Sequence, residues 1–200
     1  CWPVTSWSSL DYYGNWKAFH YQAKRSFENV LLSAEITDSG IYKFFVINDG
    51  MQNYAGELKA EIRNFKGQLL WEKKAYCKSD ASSNVAAILL PFPSLKEIDT
   101  QNSYIKLEFI SDDNHWESNF FFEKPKDLKL SKPNIQIKII DEVTIEISSD
   151  VLAKDVFLSS ENEVFFEDNY FDLLPNEKRI IKFSKDAKEI KVKSLFDTMK

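Results

Sequence analysis

Residue types that most often carry chemistry are sparse in this chain. Its thiols are Cys1 and Cys77, and its imidazoles are His20 and His115. A structural zinc site needs several such ligands at short spacings, and these four residues lie too far apart along the chain. A disulfide scaffold needs more cysteines in a shorter chain. We therefore predict no metal site and two free thiols.

The acids and aromatic rings of the first thirty residues are the other candidates. Asp11 lies in a tyrosine-rich loop before Gly14-Asn15, and this setting is typical of a turn or of a capping acid. Glu28 comes late in a helical pattern, where a carboxylate is normally solvated. We therefore predict a structural role for Asp11 and a solvated Glu28.

One helix is predicted over residues 15–30, because apolar side chains recur there at helical spacing. A lone helix of this length is marginal in water, so its apolar stripe needs a surface to pack on. That surface is either the neighbouring β domain or a part of a larger α/β domain outside this chain. The stripe consists of Trp16, Phe19, Ala23, Phe27 and Val30.

From residue 31 onward the apolar period changes to two, which is typical of half-buried strands. Residues 56–63 and 103–110 alternate cleanly between apolar and charged side chains. About seven such strands fit between residues 32 and 123, which indicates an antiparallel sandwich. A charged, proline-bounded connector over residues 124–133 then leads to a second, smaller set of alternating segments.

Composition excludes several classes of protein. Hydrophobic residues make up 44% of the chain and include 16 phenylalanines, so the chain can form real cores and is not disordered. The net charge of −5 argues against a nucleic-acid partner, which would favour a basic surface. No apolar run in the sequence approaches the ~20 residues that span a membrane, so we predict no membrane partner.

Three stretches of the chain carry recognisable motifs: residues 1–21, residues 46–50 with 64–67, and residues 168–177. Together they resemble the β-mannosidases, which are retaining glycosidases of the β-galactosidase-like family 2. Residues 1–21 resemble the last β/α unit of their catalytic TIM barrel. Residues 46–50, followed by 64–67, resemble the sandwich that comes after that barrel. Residues 168–177 are similar to their C-terminal immunoglobulin-like domain, although Asn176 stands where the family pattern has glycine. Asparagine tolerates the positive φ that glycine usually provides there.

The resemblance implies a mainly β fold. Its expected parts are two immunoglobulin-like antiparallel β-sandwiches, preceded by a remnant of a TIM barrel that consists of a loop and the last helix. The expected boundaries are residues 1–31 for the barrel end, 32–123 for an immunoglobulin-like or CBM-like sandwich, and 124–200 for the C-terminal sandwich.

The resemblance also implies an activity for the longer enzyme. It would hydrolyse terminal, non-reducing β-D-mannose with retention and without a cofactor, using two glutamates about 5–5.5 Å apart. Neither glutamate motif occurs here, so we expect no catalytic residue and no activity in this chain alone. The expected partners are the missing barrel of the same polypeptide and a β-mannoside or manno-oligosaccharide. The resemblance does not decide the compartment, which we expect to be the periplasm or the extracellular space in a bacterium and the lysosome in a eukaryote.

Trp2 is the residue that we expect to bind substrate. The resembled loop borders the sugar pocket at the C-terminal face of the barrel, where active sites of such barrels lie. An aromatic face can stack on the C–H groups of a sugar ring. The alternative is that Trp2 packs at the barrel rim, which is the role we expect for Trp7. We assign Trp16 to the helix core.

Aromatic residues of the first sandwich suggest a different function, that of a carbohydrate-binding module. Trp71, Trp116 and residues 120–122 would form a glycan platform if they faced solvent on one sheet. Each of them also fits the apolar face of a strand, and we favour this packing role. Two further alternatives are a purely structural spacer that stabilises the barrel, and the same region of an exo-glucosaminidase or a β-galactosidase.

Overall fold

The computed structural model describes residues 8–91, 96–184 and 187–199. Backbone contacts divide the chain into two compact units. The middle unit contains residues 27–64 and 68–129, and the C-terminal unit contains the described residues up to 26, residues 65–67 and those from 130 onward. Within the described ranges, no helix is long and apolar enough to cross a membrane.

The middle unit is an antiparallel β-sandwich. Its strands are β1 (Val30–Ile36), β2 (Ile41–Asn48), β3 (Tyr54–Asn64), β4 (Leu69–Ser79), β5 (Ser83–Pro91), β6 (Ser103–Ser111) and β7 (Asn114–Phe121). One sheet has the strand order β1-β2-β5 and the other has the order β4-β3-β6-β7. Among the described residues these are the seven strands that the period-two pattern indicated.

Apolar residues at alternate positions of both sheets form the core of the middle unit. On β3, Leu58, Ala60 and Ile62 are fully buried, and β6 adds Leu107 and Phe109 beside them. The facing sheet contributes buried residues from each of its strands: Val30, Leu32, Phe44, Val46, Ile88 and Leu90. Burial of each large side chain contributes roughly 1.5–3 kcal/mol to the free energy of folding.

Aromatic residues of the first sandwich lie against this core. Trp71, Trp116, Phe120 and Phe122 are partly buried and pack on the core residues. The ring of Trp116 stacks on Phe109 with centroids 5.7 Å apart. Their predicted packing role is therefore confirmed, and these four side chains do not form a glycan platform in solvent.

In its described residues, the C-terminal unit contains one α-helix and a second, smaller antiparallel sandwich. The elements are α1 (Ala18–Ser26), β8 (Ile135–Asp141), β9 (Thr144–Ser149), β10 (Ala153–Ser159), β11 (Phe171–Leu173), β12 (Lys178–Lys182) and β13 (Lys191–Lys193). The strand orders are β12-β9-β8 and β11-β10-β13. Both sheets supply its core, which includes Ile145, Ile147, Val156, Leu158, Phe171 and Ile181.

Helix α1 is shorter than predicted, and the predicted apolar stripe is wrong. The helix ends at Ser26, and Val30 begins strand β1 because Val30 and Leu32 alternate into the core of the middle unit. Two members of the stripe lie in solvent: Phe19 is 55% exposed and Phe27 is 87% exposed. The helical spacing of apolar residues in the sequence therefore extends beyond both ends of the helix, into residues that are not helical.

Candidate helix-anchoring site

The loop between residues 166 and 170 presents backbone carbonyls and one carboxylate to helix α1. Its geometry depends on Asn169, which is buried beside strand β10. The Asn169 Nδ2 donates to the Leu158 carbonyl at 2.9 Å, and its Oδ1 accepts from the Leu158 N–H at 2.8 Å. The Asn169 side chain thus bonds both backbone groups of Leu158, as a residue on a neighbouring strand would. The backbone carbonyls of Asn169 and Tyr170 remain available to other donors.

Arg25 on helix α1 binds this loop with both ends of its guanidinium. Its Nη1 donates to Asp168 Oδ1 at 2.6 Å and to the Asn169 carbonyl at 3.2 Å. Its Nη2 donates to the Tyr170 carbonyl at 3.0 Å. A guanidinium presents several donors in a fixed plane, so it can satisfy acceptors that lie on one loop.

Two more side chains of α1 reach the same loop. The Tyr21 hydroxyl donates to the Phe166 carbonyl at 3.0 Å, and Lys24 Nζ donates to the Glu167 carbonyl at 3.1 Å. Tyr21 is buried, and this burial raises the pKa of its phenol to about 12. The hydroxyl therefore keeps its proton and remains a donor across the physiological range.

Asp168 is held by a second arginine from the sandwich itself. Arg179 on β12 donates from Nη2 to Asp168 Oδ2 at 2.8 Å. The Arg179 guanidinium also lies 4.5 Å from the centre of the Phe171 ring, a cation–π contact. The carboxylate of Asp168 thus links a residue of the helix to a residue of the sheet. We call Tyr21, Lys24, Arg25 and the loop of residues 166–170 the helix-anchoring site.

A tight turn precedes the helix, and Asp11 organises it. The Asp11 carboxylate accepts from the backbone N–H of Tyr13 at 2.8 Å and of Asn15 at 2.9 Å. It also accepts from Asn15 Nδ2 at 3.0 Å, and this side-chain bond lowers the pKa of Asp11. The predicted turn role of Asp11 is confirmed, and Glu28 is exposed as predicted.

Trp16 closes this turn and lies against the sandwich. It forms an isolated bridge with Leu10, and its ring lies 5.0 Å from that of Phe165 and 5.2 Å from that of Tyr21. Trp16 therefore packs against other aromatic rings, but its assignment to the helix core is wrong, because it precedes the helix and is only partly buried.

Of the two loop tryptophans and the two cysteines singled out in the sequence, only Cys77 lies in the described part of the chain. Trp2, Trp7 and Cys1 lie outside the described residues, so the substrate role of Trp2 stays a prediction. Cys77 is a buried free thiol, whose pKa burial raises. A buried thiol with a raised pKa is a poor nucleophile.

A second cluster of charges lies on the outer face of the sheet β4-β3-β6-β7. Glu61 on β3 is only 4% exposed and lies between Lys59 at 2.5 Å and Arg63 at 2.6 Å. Burial alone would raise the pKa of Glu61, but the hydrogen bonds from Arg63 and Lys59 lower it to about 2. We call Lys59, Glu61, Arg63, Lys106 and Glu108 the charge ladder.

One end of the charge ladder brings Glu108 close to His115 and Glu117. Their possible ligand atoms all lie within 4.8 Å of one another. Lys106 lies 3.2 Å from Glu108 and 3.8 Å from Glu117, and Lys59 lies 3.2 Å from Glu108. These ammonium groups already neutralise the carboxylates, so a bound cation would meet positive charge on the same surface.

The same lysines make Glu108 a poor candidate for the proton-donating acid of a hydrolytic pair. Burial would raise the pKa of Glu108, but Lys106 and Lys59 outweigh it and hold that pKa below its usual value. A retaining pair needs one carboxyl group that keeps its proton and can act as an acid.

Sequence reasoning missed the two side chains that matter most at the helix-anchoring site. Tyr21 was not part of the predicted apolar stripe, and no pattern in the sequence singled out Arg25. Both act as donors to backbone carbonyls, and such contacts leave no periodic signal. The only available signal was the motif of residues 168–177, which includes three residues of the loop.

Comparison with known protein families gives two matches along the chain. Residues 40–127 match the family described as a mannosidase Ig/CBM-like domain. Residues 130–198 match Ig_mannosidase, described as an Ig-fold domain. The two matches follow each other in the same order as the two sandwiches.

Curated proteins agree with these matches. The β-mannosidase of Rattus norvegicus is 29% identical over 69% of this chain and 17% of its own length. β-Mannosidase B of Thermothelomyces thermophilus is 23% identical over 98% of this chain and 26% of its own length. This chain thus spans about a quarter or less of these relatives.

Among solved structures, a red sea bream transglutaminase covers 88% of the chain at 11% identity with a TM-score of 0.36, a likeness too slight to carry an argument. The two family matches and the β-mannosidase relatives cover most of the chain and point the same way. The chain belongs to the β-mannosidases, as a C-terminal part of such an enzyme that carries its two immunoglobulin-like domains.

Proposed function

We propose that this chain buttresses the catalytic barrel of a β-mannosidase, with helix α1 as the last helix of that barrel. In this proposal the longer enzyme removes terminal, non-reducing β-D-mannose with retention. The catalytic glutamates lie upstream, and this chain alone is inactive. The β-mannosidase relatives support mannose over the glucosamine or galactose of other members of the clan.

One observation carries the buttressing role: Arg25 makes three hydrogen bonds to residues 168–170. A nine-residue helix is too short to be stable by its own hydrogen bonds. Tertiary contacts must therefore hold it. In the described residues these are the hydrogen bonds of the helix-anchoring site and the ring contacts of Tyr21 with Trp16 and Tyr170.

Helix α1 also carries one exposed large apolar side chain, since Phe19 is more than half exposed. Single exposed apolar side chains are common on protein surfaces, so Phe19 does not by itself point to a covering domain. In this proposal the upstream barrel covers it.

An Arg25→Met substitution in the longer enzyme tests this function. It removes three hydrogen bonds made by a charged donor and leaves two loop carbonyls without a partner. We expect a loss of about 2–3 kcal/mol in the free energy of unfolding. The temperature at which β-mannoside hydrolysis is lost should fall together with the melting temperature. Residues 1–200 alone should leave the same mannoside intact.

Lys78→Met is the matched control, because it also removes one positive charge, and Lys78 is exposed on strand β4 of the middle unit. It should change neither temperature. If Arg25→Met lowers the melting temperature of the C-terminal unit but leaves the inactivation temperature of the enzyme unchanged, the helix does not support the barrel. Hydrolysis by residues 1–200 alone would contradict the proposal that the catalytic glutamates lie upstream of this chain.

A further inference from the structure

We propose that the junction of Asp49 and Gly50 is a site of spontaneous isoaspartate formation, and that the side chain of Asn48 slows this modification in the folded protein. The inference goes beyond the proposed function, because it concerns a covalent change in the chain itself. All residues that carry it belong to the middle unit. They connect strand β2, which ends at Asn48, to strand β3.

The reaction needs only the chain and water. The backbone nitrogen of Gly50 attacks the side-chain carboxyl carbon of Asp49. A nitrogen–carbon bond forms, and the N–H proton leaves with the carboxyl OH group as water, which gives a cyclic succinimide. Water then adds to one of the ring carbonyls and reopens the ring to aspartate or to isoaspartate, in which the main chain runs through the former side-chain carbon. Glycine hinders the attack least, because it has no Cβ.

The attacking nitrogen is engaged in the folded protein. The Gly50 N–H donates to Asn48 Oδ1 at 3.0 Å, so the asparagine side chain bonds the backbone two residues further on. The preceding N–H, that of Asp49, donates to the Asn29 carbonyl at 2.8 Å. To attack, the Gly50 nitrogen must give up its bond, lose its proton and turn toward the Asp49 carboxyl group. The hydrogen bond to Asn48 therefore opposes the reaction.

Asn48 is itself held in one orientation. Its side chain is fully buried. The Nδ2 group donates to the backbone carbonyls of Gln52 at 2.7 Å, of Asp80 at 3.1 Å and of Ser79 at 3.4 Å. Because these carbonyls fix the amide nitrogen, the amide oxygen stays directed at Gly50. Asp49 is exposed, so water can reach its carboxyl group.

Close packing explains why a glycine follows Asp49 in this turn. A Cβ at position 50 would lie 3.2 Å from Asn48 Oδ1 and 3.4 Å from Asn29 Cβ, which leaves little room for a side chain. The Gly50 carbonyl also accepts from the Ser82 N–H at 3.2 Å. Isoaspartate would lengthen the main chain by one carbon here and displace Gly50 from these contacts. The contacts that demand glycine thus also restrain its reaction.

Incubation of the purified protein at neutral pH, followed by peptide mapping, tests the inference. Peptides with aspartate and isoaspartate have the same mass but separate by chromatography. We expect Asn48→Ala to form isoaspartate at Asp49 about 2- to 12-fold faster than the wild type, in line with the worth of one hydrogen bond. Unfolding the wild type in urea should accelerate the reaction at least as much, because it breaks the same bond.

Asn53→Ala is the matched control in the same loop. The Asn53 Oδ1 accepts from the Ala81 N–H at 2.8 Å, so this substitution also removes a side-chain acceptor, but one that does not bind Gly50. The rate at Asp49 should stay close to that of the wild type. If Asn48→Ala does not fold, Asp49→Asn gives the answer. Its side-chain amide reacts with the same nitrogen and loses ammonia, and this reaction should be slower in the folded protein than in urea.

Three results would overturn the inference. Equal acceleration by Asn48→Ala and Asn53→Ala would mean that loosening of the loop controls the reaction, and the role of Asn48 would be wrong. Equal rates in the folded and the unfolded protein, with wild type or with Asp49→Asn, would refute the same role. Absence of isoaspartate at Asp49 in the unfolded chain would remove the modification site itself. Mannoside hydrolysis enters none of these measurements, so the proposed function stands or fails separately.

Discussion

Asn176 occupies a backbone conformation that most residues avoid. Its φ is 63°, and its N–H donates to the Ser149 carbonyl at 2.9 Å, so the turn before β12 depends on this geometry. Asparagine and glycine tolerate the left-handed region, and a residue with a plain Cβ does so at a cost of roughly 1–2 kcal/mol. Asn176 therefore adopts the backbone conformation for which the resemblance led us to expect glycine.

Substitutions at position 176 should follow this backbone preference. Asn176→Gly is expected to change the free energy of unfolding by less than about 0.5 kcal/mol, whereas Asn176→Ala should lower it by roughly 1 kcal/mol. Urea unfolding of both variants measures the difference. Equal stability of the two variants would mean that the asparagine side chain, rather than φ, decides the turn.

Arg25 and Tyr21 illustrate what a sequence reveals at the scale of one residue. Burial of a leucine leaves a periodic trace, because its neighbours at the same face are apolar too. A donor that bonds to a carbonyl on a distant loop leaves no such trace, since the carbonyl belongs to every residue type. The helix-anchoring site could therefore be found only from the fold.

At the scale of the element, strands were predictable and the helix only partly so. Residues Leu58, Ala60 and Ile62 alternate with charged residues, and each alternate position is buried on β3 as expected. Helical periodicity over 15–30 was misleading, because Phe27 and Val30 continued the spacing by coincidence after the helix had ended. Val30 is buried as expected, but it is buried as the first residue of strand β1 and not as part of a helix.

Glu61 gives strand β3 a measurable dependence on pH. Its folded pKa of about 2 lies below the ordinary value of 4.5, so its ionised form stabilises the fold above the ordinary pKa. This contribution, about 3 kcal/mol in full, is lost as the pH falls from about 5 to 2. Glu61→Gln should remove this part of the acid sensitivity.

Chemical unfolding at a series of pH values checks this expectation. Glu57→Gln is the control on the same face of β3, because Glu57 pairs only at the surface with Lys74 and is half exposed. It should leave the pH dependence close to that of the wild type. If Glu61→Gln and wild type lose stability in parallel below pH 5, Glu61 does not carry the effect.

At the scale of the whole molecule, the two cores have no residue in common. The buried residues of one core all belong to the middle unit, and those of the other all belong to the C-terminal unit. Each unit therefore has its own source of cooperative stability. The two family matches, which meet between residues 127 and 130, follow the same division.

Separate cores should produce two unfolding transitions. Leu107→Ala removes a fully buried side chain of the middle unit, and Ile147→Ala removes one of the C-terminal unit. Each should cost its own unit about 2–5 kcal/mol and lower only one calorimetric transition. A single transition that both substitutions shift equally would show that the units unfold together.

The charge ladder has a consequence for how the middle sheet finds its pairing. In the native alignment of β3 with β6, Lys59 faces Glu108 and Glu61 faces Lys106. A slip by one residue is already forbidden, because it would turn the apolar face to solvent. A slip by two keeps that face inward, but it would set Lys59 against Lys106 in one direction and Glu61 against Glu108 in the other. Like charges directly opposite repel, so the signs of these four side chains disfavour the two nearest alignments that would keep the apolar face inward.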